Sequence, residues 1–523
     1  MPISPCTRNV GTSESLTLLM GLAGERSRIL PQPQLTDTCC ESKRYRVYST
    51  RWLVLAVCCL LALSNSMLWL SYITLSEETG EFYCDGETTE CTAAFITNQI
   101  FQLVAVVTGI GGMYVTDNYG IRLSIVCGTT LNFVGSLFRM ISSVPLIESS
   151  ISRQVLLHTG SIIAASAQAF FLVLPSKIAE TWFPDRQRSL ANVLTFIANP
   201  FGVVLGTIMP SLYFSGDTMV HRSSWHMFEF NTSMAIITTV AFALSLFIRR
   251  GSPPTPPSAS SADHSNNAPS FWNAIAICFK NKQFVIQMFT FGLAFAELWG
   301  FMVIMSDIIT EQGYNLYGYP TALAALVGVG ASLVCGAIAD CTRRFKELLR
   351  VCWVCFTAII IFTRMWLRHK WTGPIDSVVL LVACAGLGCF SIPQFPIGVE
   401  MGVETTFPVY EATSSGLLVL SGQLWMFVMY YVFETTKKLK IIYEFDDTKP
   451  SGNWQLNLDI WCMLGLVAAI LSFAANPTYK RMQYESSVCE QPQNGSGTYE
   501  MSAKLEKSNH ADGTKLDEDV ERF

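Results

Sequence analysis

Charge is scarce in this chain. Only 14% of its 523 residues are Asp, Glu, Lys or Arg, too few to cover a soluble protein of this size. The formal net charge of -5 excludes the basic surface that a nucleic-acid partner needs. Histidine is rare: His158, His221, His226, His264, His369 and His510 make six, and none keeps metal-ligand spacing with cysteine. No glycine-rich phosphate loop and no catalytic triad spacing occur, so no enzymatic site is read and no cofactor is implied. Cysteine is frequent at 17, yet most copies lie inside apolar runs, where they act as small hydrophobes.

What is abundant is apolar sequence. Half of the residues are hydrophobic and the mean hydropathy is +0.35, so the bilayer is the solvent for much of the chain. Twelve runs are long enough to cross a hydrocarbon core of about 30 Å: 52–75, 92–116, 122–142, 154–176, 188–214 and 231–248, then 283–308, 319–339, 349–367, 376–400, 412–435 and 456–475. The expectation is an all-α membrane protein of two six-helix bundles, at 43–250 and 271–476, joined by a Pro/Ser/Asn-rich linker at 251–270. Polar tails fill 1–42 and 477–523. Basic residues gather on one side (Lys43, Arg44, Arg46, Arg51, Lys177, Arg249, Arg250, Arg350, Lys480), which predicts that both termini are cytosolic. Arg368, Lys370, Lys437, Lys438 and Lys440 run against that bias.

The second half replays the first. Gly112-Met113-Tyr114-Val115-Thr116-Asp117, followed by Gly120 and Arg122, returns 223 residues later as Gly336-Ala337-Ile338-Ala339-Asp340, followed by Arg343, Arg344 and Lys346. Glu180-Thr181-Trp182-Phe183-Pro184 returns at an offset of 224 as Glu404-Thr405-Thr406-Phe407-Pro408. Two unrelated motifs with one offset imply a parallel duplication, the build of a carrier whose halves rock about a central site. Each Phe-Pro ends one helix and starts the next. Carboxylates are favoured at helix N-termini, so Asp117 and Asp340 are candidate gate residues, with Arg122, Arg343, Arg344, Glu180 and Glu404 around them. Arg186, Arg188, Arg343 and Arg344 are open as partners of the two glutamates.

The acid-and-arginine turns resemble the signature turn of the major facilitator superfamily, in which the aspartate faces the start of a helix in the other half. Further residues resemble solute carrier family 49, the feline leukaemia virus subgroup C receptor-related family. They are Asn65-Ser66-Met67-Leu68-Trp69, Gln168-Ala169-Phe170-Phe171-Leu172-Val173-Leu174-Pro175-Ser176-Lys177, and Phe407-Pro408-Val409-Tyr410-Glu411-Ala412-Thr413-Ser414-Ser415-Gly416 followed by Gln423. Phe183-Pro184-Asp185-Arg186-Gln187-Arg188 and Asn199-Pro200-Phe201-Gly202-Val203 resemble the branch represented by major facilitator superfamily domain-containing protein 7.

The resemblance implies transport of small organic solutes, choline and ethanolamine foremost. It implies a ligand ringed by Trp69, Gln168 and Gln423, with Trp299 or Phe291 supplying the aromatic of the seventh run. Haem transport, proton-coupled export of a vitamin such as pyridoxine, and a non-transporting receptor are alternatives. Haem would want His, Tyr or Met along the path.

Other residues extend this reading. Indole faces attract a quaternary ammonium, and a glutamine offers hydrogen bonds without the cost of a buried charge. Glu297, deep in the seventh run, could neutralise a cationic solute or take up a proton. It shares a cavity with Trp299 only if the helix unwinds near Gly292 or Gly300; otherwise a buried pair with Arg364 or Arg139 is expected. Cys84 and Cys91 fall in one outer loop, where a disulfide fits. Asn231-Thr232-Ser233 is a glycosylation sequon abutting the sixth run. Glu14-Ser15-Leu16-Thr17-Leu18-Leu19 and Glu25-Arg26-Ser27-Arg28-Ile29-Leu30 read as acidic dileucine-type sorting signals, so the plasma membrane and the lysosomal membrane are both open. The expected partners are the lipid bilayer and a small-molecule substrate, with the chain a monomer and no nucleic acid.

Overall fold

Without water in a hydrocarbon core, each backbone polar group must be satisfied inside its own segment, so long apolar runs become helices. The computed structural model describes residues 47–86, 91–214, 225–255, 269–311, 319–367, 373–437 and 454–483. Among them are twelve helical spans. The first six are Thr50–Leu70, Ala93–Tyr119, Ile121–Ser142, Ser150–Trp182, Leu190–Pro210 and Trp225–Ser245. The second six are Lys282–Phe301, Tyr319–Ala339, Phe345–Trp366, Pro374–Thr406, Glu411–Thr436 and Trp454–Ala474. With an even number of crossings, residues 47 and 483 emerge on one side, called here the terminal face; the other is the far face. The sorting motifs, the tails and most of the expected linker lie outside the described residues.

Two features differ from the expected runs. The fourth span breaks at Ala167 and again at Leu172–Val173, and the tenth breaks at Ile392–Pro393. Pro175 and Pro393 explain the later breaks, since proline donates no backbone hydrogen bond and crowds the preceding turn. A further short helix, Phe271–Lys280, precedes the seventh span; its ten residues are too few to cross and were not expected.

Outward faces are lipid-like: Val107 is 72% exposed and Ile470 68%. Inside, the helices close on small residues. A side chain at Gly112 would strike the carbonyl of Ala169 on the fourth span, and one at Gly388 on the tenth span would strike that of Ala324 on the eighth. Polar residues within the first half pair with one another. Asn65 Nδ2 donates to Asn132 Oδ1 and to the Ala164 carbonyl, both at 2.8 Å. Arg139 donates to the Leu68 carbonyl at 2.6 Å and to Ser71 Oγ at 2.9 Å, with Tyr72 against its guanidinium. Asn231 is buried in the sixth span and donates to Tyr72 Oη at 2.9 Å, so the sequon offers no accessible amide. Cys84 and Cys91 are joined by a disulfide on the far face.

Candidate functional site

A cavity lies between the halves. Its wall is aromatic and aliphatic: Phe196 from the fifth span, Phe291, Phe295 and Trp299 from the seventh, Phe395 from the tenth, and Leu172 and Val419 from the fourth and eleventh. Asn199 and Ser332 are its polar members. Among the described lining residues none is charged, and none is His, Tyr or Met, so the haem reading finds no support in this wall.

Helix periodicity explains the seventh span's contribution. Residues four apart share a face, so Phe291, Phe295 and Trp299 form one stripe on an unbroken helix, Lys282–Glu311. Phe291 and Trp299, the two candidates for the aromatic position, therefore both line the cavity.

Trp69 meets Trp299 across the halves, ring centroids 5.9 Å apart and planes at 73°. This edge-to-face geometry suits two aromatic quadrupoles. Gln102 of the second span touches Met426 of the eleventh at 3.7 Å; turning its amide gives Trp69 Nε1 an acceptor at 3.0 Å. Gln168 precedes the cavity-lining Leu172 by one helical turn, and Gln423 follows Val419 by one, so each carboxamide stands one turn toward the far face. Gln168 Nε2 donates to Asn65 Oδ1 at 3.2 Å, while its Oε1 is buried without a partner. Gln423 is buried, 5% exposed. Of the four expected residues, Trp299 alone lines the cavity; Trp69 packs against it from the other half, and Gln168 and Gln423 are not among the lining residues.

Glu297 does not join them. Two residues from Trp299 on a regular helix is a turn of about 200°, and no unwinding at Gly292 or Gly300 brings it round. Its Oε2 lies 3.3 Å from where a Cβ on Gly465 would be, inside the second half. Neither expected arginine pairs with it. Arg139 is held by the first span, and Arg364 pairs with Asp459 at 2.6 Å.

On the terminal side a layer of polar contacts joins the halves. Gly120, at φ 86°, ends the second span in a conformation open mainly to glycine. Just before it, Asp117 Oδ2 accepts a 2.6 Å hydrogen bond from Thr413 Oγ1 in the first turn of the eleventh span. Lys177 Nζ lies 3.4 Å from Glu180 Oε2 and 4.7 Å from the centroid of Tyr410 in the other half. Asn192 Nδ2 donates to Glu400 Oε2 at 3.4 Å. Behind this layer the segment after the twelfth span is bound in. Arg481 meets Glu411 at 2.9 Å and Glu400 at 3.9 Å, and the Met482 amide donates to Glu404 Oε2 at 3.0 Å. Tyr479 Oη accepts from the Lys346 amide at 3.1 Å, and burial pushes its phenol above the ordinary tyrosine value. Arg122, Arg343 and Arg344 are exposed and stand outside the layer. The side chains of Asp340 and Arg186 lie outside the described set. Toward the far face Phe95 stacks on Tyr430 of the other half at 5.2 Å, so contacts between halves occur on both sides of the cavity.

Several of these residues were missed in the sequence. Asn98, Gln99 and Gln102 put three carboxamides into five residues of an apolar run, a signal that was available. Tyr410 and Thr413 stood in the motif that begins at Phe407, yet it did not mark them as contacts between the halves, and Glu400 carried no signal, because the importance of all three lies in what they meet.

The sequence profile of the Major Facilitator Superfamily matches residues 52–430. Solute carrier family 49 member A3 of Xenopus tropicalis is 31% identical over 461 residues, covering 84% of this chain and 90% of that one. The choline/ethanolamine transporter FLVCR1 of Mus musculus is 25% identical, with 85% and 79% covered. Among solved structures, the proton:xylose symporter XylE aligns with a TM-score of 0.65 at 14% identity, over 83% of this chain and 99% of that one; this supports the fold alone. The chain is a multi-pass membrane transporter of the major facilitator superfamily and belongs to solute carrier family 49.

Proposed function

We propose that this transporter carries a small organic ammonium of the choline or ethanolamine type, exposing the cavity alternately to the two faces. One observation carries the reading: Trp69 and Trp299, one from each half, meet at 5.9 Å at the end of a cavity whose described lining has no charge. An uncharged aromatic wall attracts a cation through ring quadrupoles, by about 2 kcal/mol or more once water is excluded, and imposes no counter-ion to strip away on release. The free Gln168 Oε1 is an acceptor suited to a hydroxyl or ammonium hydrogen. The relatives named as choline/ethanolamine transporters support the same chemistry.

In this reading Asp117 with Thr413, and Lys177 with Tyr410, close the terminal side and part when the cavity opens there. The basic bias makes that side cytosolic, in the plasma membrane or the lysosomal membrane. Uptake of radiolabelled choline into cells expressing wild type, Trp299→Ala, Trp69→Ala and Gln423→Ala tests the proposal. Wild-type uptake that falls at least tenfold in the tryptophan variants, at equal surface expression, is expected from losing about 2 kcal/mol. Absent uptake, or uptake indifferent to these changes, removes the ammonium reading.

A further inference from the structure

Among the described residues, Glu297 is the only acidic side chain with both carboxylate oxygens buried and without a hydrogen-bond partner. It is 0% exposed and belongs to the seventh span, on the flank away from the cavity. Around it stand Gly465 and Trp461 of the twelfth span and Thr357 of the ninth. The Thr357 hydroxyl donates to the Gly465 carbonyl at 3.2 Å. The titratable neighbours are Cys462 and, beyond it, the Arg364–Asp459 pair, which is closed on itself at 2.6 Å. From the eighth, tenth and eleventh spans, which also pack on the seventh, no described side chain brings a charge to it.

An isolated ionised carboxylate in so dry a place is strongly disfavoured, whereas the neutral acid is tolerated. We propose that Glu297 is a proton-binding site of the transport cycle, loaded in the state seen here and emptied when the seventh span moves away from the twelfth. The step balances simply. An O–H bond forms on one carboxylate oxygen with a proton delivered by water, and the same bond breaks on release.

The geometry links this site to the cavity. Glu297 and Trp299 ride two residues apart on one unbroken helix, facing opposite flanks. The twelfth span grips that helix at the same level: Trp461 Nε1 donates to the Glu297 carbonyl at 3.2 Å, and its ring stacks on Phe301 at 3.6 Å. A movement that withdraws Trp299 from the cavity must also disturb the Glu297 pocket. Loading of the two sites is therefore coupled, and by linkage the coupling is reciprocal.

The proposal does not depend on which solute is carried. Its test is infrared difference spectroscopy of the full-length protein in liposomes, wild type against Glu297→Gln, at neutral pH. A deuterium-sensitive carboxylic-acid carbonyl band present in wild type and missing from the variant is expected; identical spectra overturn the proposal. Gly465→Ser gives an independent reading should Glu297→Gln not fold. Its hydroxyl would stand beside Oε2 and move that band to lower frequency, and an unmoved band counts against the assignment. Coupling is read by imposing a pH gradient during radiolabelled choline uptake. Several-fold acceleration is expected in wild type and none in Glu297→Gln, with exchange of labelled for unlabelled choline preserved. Acceleration that survives in the variant overturns the coupling. If choline is not carried at all, the ammonium reading fails while the infrared result still decides the proton site.

Discussion

Replacing Thr413 by valine keeps the side chain's volume and removes the hydroxyl that donates to Asp117 Oδ2 at 2.6 Å. A hydrogen bond to a charged partner contributes about 1.5–3 kcal/mol. This one exists only while the terminal ends of the second and eleventh spans meet, so its loss raises the energy of that state alone. At 1.4 kcal/mol per tenfold, the population open to the terminal face should grow by roughly ten- to a hundredfold. The assay is modification of Ser332→Cys, a buried cavity-lining position, by an impermeant maleimide added at the terminal face. The rate in Thr413→Val is compared with the rate in the Ser332→Cys parent, and cavity-specific labelling is taken as the excess over protein with native Ser332. Thr413→Ser, which keeps the donor, should behave as the parent does. An unchanged rate in Thr413→Val, or an equal rise from the far face, would refute the gating argument.

Two further outcomes follow from packing and covalent structure. Gly112→Ala and Gly388→Ala each drive a methyl into a backbone carbonyl and should lower stability by about 1–3 kcal/mol. Gly111→Ala, whose methyl meets open space, should leave the thermal unfolding midpoint in place. Removing the disulfide in Cys84→Ser/Cys91→Ser should cost about 2–3 kcal/mol for a loop this short, read as a lower midpoint that reductant no longer shifts.

Much of this molecule was legible before any coordinates, because bilayer physics leaves few choices. Twelve apolar runs became twelve spans, and Phe183-Pro184 separates a helix ending at Trp182 from one starting at Asp185. The duplication in Asp117 and Asp340 announced two like-built halves. Trp69 and Trp299 share the dipeptide Leu-Trp at comparable depth, and they meet. Side-chain direction was harder. Glu297 and Trp299 are neighbours in the chain, yet whether they share a cavity depended on whether the seventh helix stays regular. The turn around Asp117 was visible, but its partner Thr413 is an ordinary residue 296 positions away, named only by the approach of two helices. The arginines of the two motifs read as gate residues, but in space they point outward while Arg481, after the last span, is drawn in. The cavity's aromatic wall comes from both halves, and no single local pattern reveals which phenylalanines converge.

The most direct measurement compares purified protein binding choline with binding the neutral analogue in which carbon replaces the ammonium nitrogen. The two molecules share size and hydroxyl, so their difference isolates the attraction of aromatic rings for charge. With about 2 kcal/mol from that attraction, choline should bind roughly thirtyfold more tightly, and Trp299→Leu should remove most of the preference. Equal affinity for the two compounds, or a preference that survives loss of Trp299, would contradict an ammonium site built on the tryptophan pair.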